Sequence, residues 1–353
     1  MTSTPPATGH AFGTHSLPDV CLRSPDSLVA SLPYLLGFAP EESMIVLWLR
    51  QGRLVLTERL DLLPAAVDDS GGSHLGEWLT TLWAPHATTQ ADEVVIVAVS
   101  ERTDLAGLVA TTEELARHHG LEVRDALRVD GSRWWSFLCT PGTCCPADGR
   151  LVPVEVAGRV AAEFTVLGNA PLPQRASLDL ELARDRALAA KVRAYAPTQD
   201  WLSAKSRRQD PWRDRAIGVI LGRSRPRTSP TGIDRLAVTE LGLTDVRVRD
   251  TVLWEMARMS PTAVRAFAEH LRCAVRGARP SRVAPVATCA AAGSWLMGDG
   301  ARAATAVTVA LGARPDYSLA LLIDSALRSG VSPAVWRECM QTLTREEVRL
   351  PGR

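Results

Sequence analysis

The chain has 353 residues, of which 46% are hydrophobic and 22% charged, and its formal net charge is +1 at pH 7. This length exceeds what one hydrophobic core usually organises, so we expect two domains. A near-neutral net charge argues against a dedicated nucleic-acid-binding protein, which carries a large positive balance. The longest weakly polar run, residues 283–297, is too short to span a bilayer and is predicted to be a buried helix.

Targeting signals are not recognisable in the sequence, so we expect a cytoplasmic protein. Residues 1–20 lack both a basic start and an apolar core, and we predict a disordered tail there. Cysteines stay reduced in the cytoplasm, and the odd number of cysteines, seven, further weakens the case for a disulfide framework.

The first structural elements predicted along the chain are a helix and a hairpin. Ser24-Pro25-Asp26 is a typical helix start, and Gly37 is a typical helix end. The apolar run 44–49 and the shorter run 54–56 flank Gln51-Gly52, which predicts a β-hairpin.

Residues 75–138 alternate between helix and strand patterns. The predicted elements are a helix at 75–83, a strand at 94–99, a helix from 105 to Gly120, a strand at 121–129 and, after Asp130-Gly131, a strand at 133–138. Strand, helix, strand in that order favours a crossover unit. We therefore predict an α/β domain with a mixed sheet over residues 21–151.

From residue 152 to 353 the patterns are helical, with linkers near 169–177 and 222–232. We predict about eight helices packed as hairpins: one spans residues 178–195, Thr244 caps another, and Ser-Pro pairs at 229, 260 and 332 begin others. The stretch GDGARAATAVTVALGARPDY from Gly298 resembles the second half of a tetratricopeptide repeat. Since only one such unit is visible, we predict a single tetratricopeptide-like hairpin in an all-α domain.

Several stretches together resemble one family. They are SPDSLVASLPYLLGFAPEESMIVL, WWSFLCTPGTCCPADG, LTDVRVRDTVLW, WLMGDGARAATAVTVAL and YSLALLIDSALRSGVSP, which extend from Ser24 to Pro333. The chain is similar to an uncharacterised actinobacterial family, domain of unknown function 4192. This resemblance implies no biochemical activity. Members generally carry Asp or a similar polar residue after the third strand, whereas this strand is followed by Ser100-Glu101-Arg102.

Cys139, Cys144 and Cys145 form the most distinctive cluster of reactive side chains. Thiolates are soft ligands that bind zinc or iron, and they become nucleophiles when their pKa falls. A zinc site here would need a fourth ligand from a distant residue: Cys21, His118 or His119. We favour cysteines packed as small apolar residues around a Pro141-Gly142 turn, with a metal or redox site as the first alternative and a nucleophile as the second.

Arg133, Trp134 and Trp135 precede this loop. Strand alternation sends Trp134 to one face and the other two to the opposite face. Exposed Trp and Arg are frequent anchors of binding surfaces. We favour the simpler arrangement, in which one Trp fills the core and Arg133 stacks on a ring.

Arg247, Arg249 and Asp250 begin a predicted helix and form a second candidate binding site. Ion pairs of Asp245 with Arg249 and of Arg247 with Asp250 on a solvated face are the simplest explanation, and anion binding is the alternative. If the helix is buried, the arginines need partners.

No catalytic motif is recognisable: the sequence has no P-loop, dinucleotide fingerprint, nucleophile elbow or His-Glu-x-x-His. The basic stretch at 201–230 is predicted to be a solvated linker beside a surface helix and not a nucleic-acid site. We therefore predict a non-enzymatic regulatory or scaffold protein that binds a protein partner through the helical domain and the Trp/Cys loop. One alternative is an enzyme with Arg133, Cys139 and Asp250 in an inter-domain cleft, and another is a zinc or redox protein centred on Cys139, Cys144 and Cys145.

Overall fold

The computed structural model describes residues 24–62, 71–139, 146–195, 210–223 and 232–349, with the side chains of 71–74 excepted. The predicted tail at 1–20, most of the predicted linker at 222–232 and the Ser-Pro pair at 229 lie outside these ranges. Within them, a mixed sheet is followed by a region made mostly of helices, as the sequence predicts.

The N-terminal part, as far as residues 24–62, 71–139 and 146–151 are described, contains one sheet and four helices. The strands are β1 (Ser43–Arg50), β2 (Arg53–Asp61), β3 (Glu93–Val99), β4 (Glu122–Asp130), β5 (Arg133–Ser136) and β6 (Arg150–Leu151), and the helices are α1 (Pro25–Leu36), α2 (Gly71–Trp83), α3 (His86–Thr89) and α4 (Ala106–His118). The spatial order is β2-β1-β3-β4-β5-β6. Only β3 and β4 are parallel neighbours in this sheet, and α4 makes the predicted crossover between them.

Helices make up the rest of the described chain. They are α5 (Val154–Val166), α6 (Ala176–Leu182), α7 (Arg186–Tyr195), α8 (Asp210–Ile220), α9 (Ile233–Gly242), α10 (Val246–Met256), α11 (Pro261–Gly277), α12 (Val283–Leu296), α13 (Gly300–Ala313), α14 (Ser318–Arg328), α15 (Pro333–Thr342) and α16 (Arg345–Arg349). In the described ranges, no helix is both long enough and apolar enough to cross a membrane.

The sheet separates two apolar layers because successive side chains of a strand point to opposite faces. Ile45 and Val97 lie in the layer that also contains Leu32 of α1, whereas Val46 and Ile96 lie in the layer that contains Val109 of α4. Burial of β1 and β3 on both faces explains their continuous apolar runs.

The helical region has its own core, with α12 at its centre. Every residue of α12 from Ala284 to Leu296 is buried, as predicted for the run at 283–297. Small side chains permit close packing: a Cβ added to Gly293 would lie 3.2 Å from the Cβ of Ala268 on α11. α13 follows after a short turn and packs along α12. The tetratricopeptide likeness of this hairpin stays a prediction.

Two local predictions are wrong. The helix predicted at 178–195 is two helices, α6 and α7, since Asp185 begins the second one by accepting a 2.9 Å hydrogen bond from the Leu188 amide. Asp245, not Thr244, caps α10: its carboxylate accepts the amides of Arg247 and Val248, whereas the Thr244 hydroxyl donates to the Leu241 carbonyl.

The places where the helical region contacts the N-terminal part include a β-bridge and a turn. Phe38 forms a parallel β-bridge with Leu172, within the predicted linker at 169–177. The turn between α14 and α15 lies on the edge strand β2. There the Thr88 hydroxyl donates to the Ser329 carbonyl, and a Cβ added to Gly330 would lie 2.7 Å from Pro85 and 2.8 Å from Leu56.

Candidate functional site

Trp134, the first tryptophan of the Trp/Cys stretch, fills the core, as predicted. Its ring is buried between the sheet and α1. Burial of an indole requires a partner for its N–H, and the Trp134 Nε1 donates to the Asp26 carboxylate at 2.7 Å. Trp134 therefore ties the start of α1 to β5 and is not an exposed binding anchor.

Trp135 points to the opposite face and closes the base of the loop. The guanidinium of Arg128 stacks on this ring at 4.2 Å, so the prediction that Arg133 would stack is wrong. Arg133 donates instead to the carbonyls of Asp148 and Gly149 at 3.0 and 3.3 Å. The Trp135 Nε1 donates to the Ala147 carbonyl at 3.1 Å. These contacts hold the two ends of the cysteine loop together.

Cys139 is disulfide-bonded. This finding overturns the expectation of reduced cysteines at this position. A disulfide sulfur is neither a thiolate ligand nor a nucleophile until it is reduced. The other candidate zinc ligands of the loop, Cys144 and Cys145, lie outside the described residues, as does Cys21, so the zinc site there stays a prediction.

The histidines considered as a fourth ligand lie in an aromatic cluster. The ring centroid of His119 is 4.5 Å from that of His86 and 5.9 Å from that of His118. Burial, and then the neighbouring imidazoles, lower the pKa of His119. Across the described ranges, no group of three or more His, Cys, Asp or Glu side chains is arranged to hold a metal ion.

The predicted site at the start of α10 is an ion-pair network, but with different pairs from those predicted. Arg249 is largely buried and bonds to Asp250 at 2.8 Å and to the Tyr317 hydroxyl at 2.7 Å. Asp245 pairs with Arg213 of α8 at 3.0 Å. Arg247 lies 3.9 Å from Asp210. Buried Arg249 thus has the partners that burial demands.

Tyr317 and Cys289 complete this cluster, and the sequence analysis did not identify either. Complete burial raises the pKa of the Cys289 thiol to about 12, so this cysteine is an unreactive core residue. Tyr317 is the last residue of the repeat-like stretch, and it lies 68 residues from Arg249 in the sequence, so no local pattern could pair the two.

Polar side chains also gather at the carboxyl edge of the parallel strands, where ligands of open α/β sheets commonly bind. Ser100, at the end of β3, donates to the Glu42 carboxylate at 2.7 Å and accepts the Arg102 amide at 3.0 Å. Arg102 pairs with Asp104 at 3.0 Å. Ser100 is buried, and these bonds fix the loop that leads into α4. The polar residues after the third strand thus position this loop.

A shallow cleft with room for about one water molecule lies between α6, α11, α12 and α13. Arg302 closes one side, where it makes a bidentate pair with Glu181 at 2.7 and 2.9 Å and also bonds to Asp299. Because both oxygens of the Glu181 carboxylate are bonded to Arg302, this cleft presents no free acid or base.

The residues of the alternative enzyme site are not brought together by the described contacts. Arg133 bonds within the loop between β5 and β6, whereas Asp250 bonds to Arg249 in the helical region. The other perturbed histidine, His270, is also unsuited to catalysis. Burial lowers its pKa to about 3, and its Nε2 lies 2.9 Å from the hydroxyl of fully buried Thr239.

Comparison with known proteins identifies one family. The family model described as Domain of unknown function (DUF4192) matches residues 25–334. The chain belongs to this family. No curated protein and no solved structure matches the chain. Family membership covers both the sheet and the helical region up to the start of α15.

Proposed function

We propose that this member of the DUF4192 family is a non-enzymatic regulatory or scaffold protein that binds a protein partner through its helical region. The proposal rests on the outward face of α14, where Leu321 and Leu322 are 47% and 67% exposed. Large apolar side chains that are adjacent on a surface are typical of protein contacts. Ser318 and Ser325 lie on the same exposed side and give this patch a polar rim.

The pairing of the polar groups supports a binding role over a catalytic one. Arg249, Arg302 and Asp245, the polar side chains best placed for chemistry, are each bonded to side chains of other elements. A general acid, base or nucleophile needs to reach a substrate. These networks instead hold helices in fixed positions, as a rigid binding surface requires.

The Trp/Cys loop supplies a second candidate contact surface. Leu138 and Leu151, on either side of the loop, are 46% and 55% exposed. Trp135 and Arg133 hold the base of the loop in place through hydrogen bonds to the carbonyls of Ala147 and Asp148. A cytoplasmic location is part of this proposal.

A double substitution on α14 tests the proposal. We expect Leu321→Asp/Leu322→Asp to abolish capture of a partner from the native cell extract, because both side chains are exposed and their loss removes the apolar contact without opening the core. The captured protein should be identified by mass spectrometry, purified and titrated against wild type and variant by calorimetry.

Ser318→Asp/Ser325→Asp is the matched control, because it adds the same two charges to the same face and keeps both leucines. The proposal fails if no purified protein binds, or if both double variants lose the same affinity.

A redox role of the cysteine loop is the second candidate, and the disulfide at Cys139 favours it. Persistent disulfides are rare in a reducing cytoplasm, where those that form are mostly transient and redox-sensing. We expect differential alkylation with mass spectrometry to find Cys139 modified only after reduction, whereas Cys339, which is free and exposed, reacts in both states. Modification of Cys139 without reductant would contradict this candidate.

A further inference from the structure

Residues 340–349, the end of α15 and all of α16, are attached through polar contacts, whereas Trp336 earlier in α15 packs against the helical core and on the ring of Trp295. Neither α15 nor α16 contains a buried residue, yet α16 packs along α10. Ordinary surface helices bury an apolar stripe against the protein. The attachment of this segment therefore depends on specific hydrogen bonds and charges.

Two side chains of the α10 region bind main-chain carbonyls where α15 ends. The Trp254 Nε1 donates to the Leu343 carbonyl at 2.9 Å. Arg258 donates to the carbonyls of Met340 and Leu343 at 2.6 and 3.1 Å, and its guanidinium stacks on the Trp254 ring at 3.7 Å. The last carbonyls of a helix have no partner within the helix. Trp254 and Arg258 therefore recognise a helix end through its backbone.

The Asp214 carboxylate on the neighbouring helix α8 binds two arginines of α16. Asp214 of α8 pairs with Arg349 and lies 3.9 Å from Arg345. The two arginines are four residues apart, so they lie on one face of α16. The surface formed by Asp214, Trp254 and Arg258, called here the seat, thus complements a helix end followed by two arginines.

The hold on the segment is weak enough to be released. The side chains of Asp214 and Arg345 are 49% and 45% exposed, and solvent-exposed ion pairs contribute little to stability. Residues 340–349 contain no buried residue, so their release, with Trp336 kept in place, costs much less than global unfolding.

The seat and its occupant also differ in their relation to the family. Residues 214, 254 and 258 lie within the range that the family model matches, whereas residues 335–349 lie beyond it. Trp254 is the last residue of LTDVRVRDTVLW, one of the stretches by which the family resemblance was identified.

We propose that the seat is a peptide-binding site and that residues 340–349 occupy it as an internal ligand. The partner that it fits is a protein segment in which a helix end is followed by two arginines one turn apart. This inference rests on the proposed function, because it specifies a binding site in the helical region and the chemistry of the partner. A partner segment gains access by displacing the internal one.

A peptide competition experiment with the full chain tests the proposal. The variant Arg345→Glu/Arg349→Glu should release the segment, because both new carboxylates face Asp214. A fluorescent peptide with the sequence of residues 338–353 should then bind this variant at least ten times more tightly than wild type, whose seat is occupied. Hydrogen exchange should become faster in residues 340–349 and stay unchanged in α12.

Arg258→Ala, added to the double variant, should abolish peptide binding. Arg265→Ala is the matched control, since Arg265 is an exposed arginine of α11 that also bonds a carbonyl, that of Gly168, and it should leave binding unchanged. Faster exchange in 340–349 without peptide binding overturns the proposal, and so does unchanged exchange in that segment.

This assay uses only the chain and its own peptide, whereas the proposed function is tested on Leu321 and Leu322 with an external partner. If no partner of the α14 surface is found, the peptide competition experiment still tests the seat. If the peptide does not bind the seat, the α14 variants still test the proposed function.

Discussion

Gly149 allows the base of the cysteine loop to close. Its φ of +75° is accessible to glycine at little cost. A Cβ at this position would lie 2.5 to 2.9 Å from three atoms of the Trp135 ring. The absence of a side chain therefore allows the ring to lie between this backbone and Arg128, which stacks on the ring.

Gly149→Ala should destabilise the protein by about 2–4 kcal/mol, since strain at positive φ adds to displacement of a stacked ring. Gly120→Ala is the control: Gly120 has the same φ of +75° and nothing within 4 Å of an added Cβ, so only the strain of about 1 kcal/mol remains. Urea unfolding of both variants gives the difference. Equal losses of stability in the two variants would show that the Trp135 ring does not lie against Gly149.

At the scale of single elements, α10 shows how one side chain can serve two helices. Asp245 accepts two amides at the start of α10 and pairs with Arg213 of α8. A capping carboxylate is also favoured by the positive end of the helix dipole. Asp245 thus both starts α10 and fixes its position against α8.

Asp245→Asn should keep the cap and lose the ion pair, whereas Asp245→Ala should lose both. We expect the Ala variant to be the less stable of the two by about 1 kcal/mol, the usual contribution of a cap. Ser332→Ala provides the comparison, because Ser332 caps α15 at an exposed site without an ion pair. Thermal unfolding of the three variants is the measurement. Equal stability of the Asn and Ala variants would show that the amide bonds of Asp245 contribute nothing.

Elements with a strong local signal were predictable from the sequence. Ser24-Pro25 and Ser260-Pro261 do begin α1 and α11, and the apolar runs 44–49 and 94–99 are strands. Short elements were not: β6 has two residues and α3 four, too few for a period to be visible.

Local sequence patterns also could not predict the bonding partners of the candidate site residues. Helical spacing predicted an ion pair between Arg249 and Asp245. Arg249 instead bonds to Tyr317, which lies 68 residues further along the chain. Arg133 was predicted to stack on a tryptophan ring, but Arg128 of the adjacent strand stacks on the Trp135 ring. Spacing rules describe contacts within one element, and both of these contacts join different elements.

At the scale of the whole molecule, Glu58 lies where the sheet meets the helical region. It is on β2, two residues after Leu56, which contacts the turn after α14. Burial raises the pKa of Glu58 to about 8, and the attraction of Arg328 on α14 only partly opposes this. The folded state therefore favours the protonated carboxyl.

A raised folded-state pKa makes stability depend on pH in one direction. The contribution of Glu58 to the free energy of unfolding is fully present below its unfolded pKa of 4.5. It is lost as the pH rises through the folded-state pKa of about 8. We expect wild type to lose stability between pH 5 and pH 9 relative to Glu58→Gln, by at most about 1.4 kcal/mol per pH unit. Denaturant unfolding at several pH values measures this. The exposed Glu122→Gln should keep the wild-type profile, and an identical profile for Glu58→Gln would contradict the assignment.

The sheet layer draws residues from far along the chain, which affects its synthesis. Its core includes Val29 near the start and Leu178 of α6, and Leu172 pairs with Phe38. A ribosome makes the chain from its N-terminus, and a segment folds only after it has left the exit tunnel. Part of the apolar surface of strands β1 to β6 therefore stays uncovered until about thirty further residues have emerged. We expect chaperones to bind the chain during this interval.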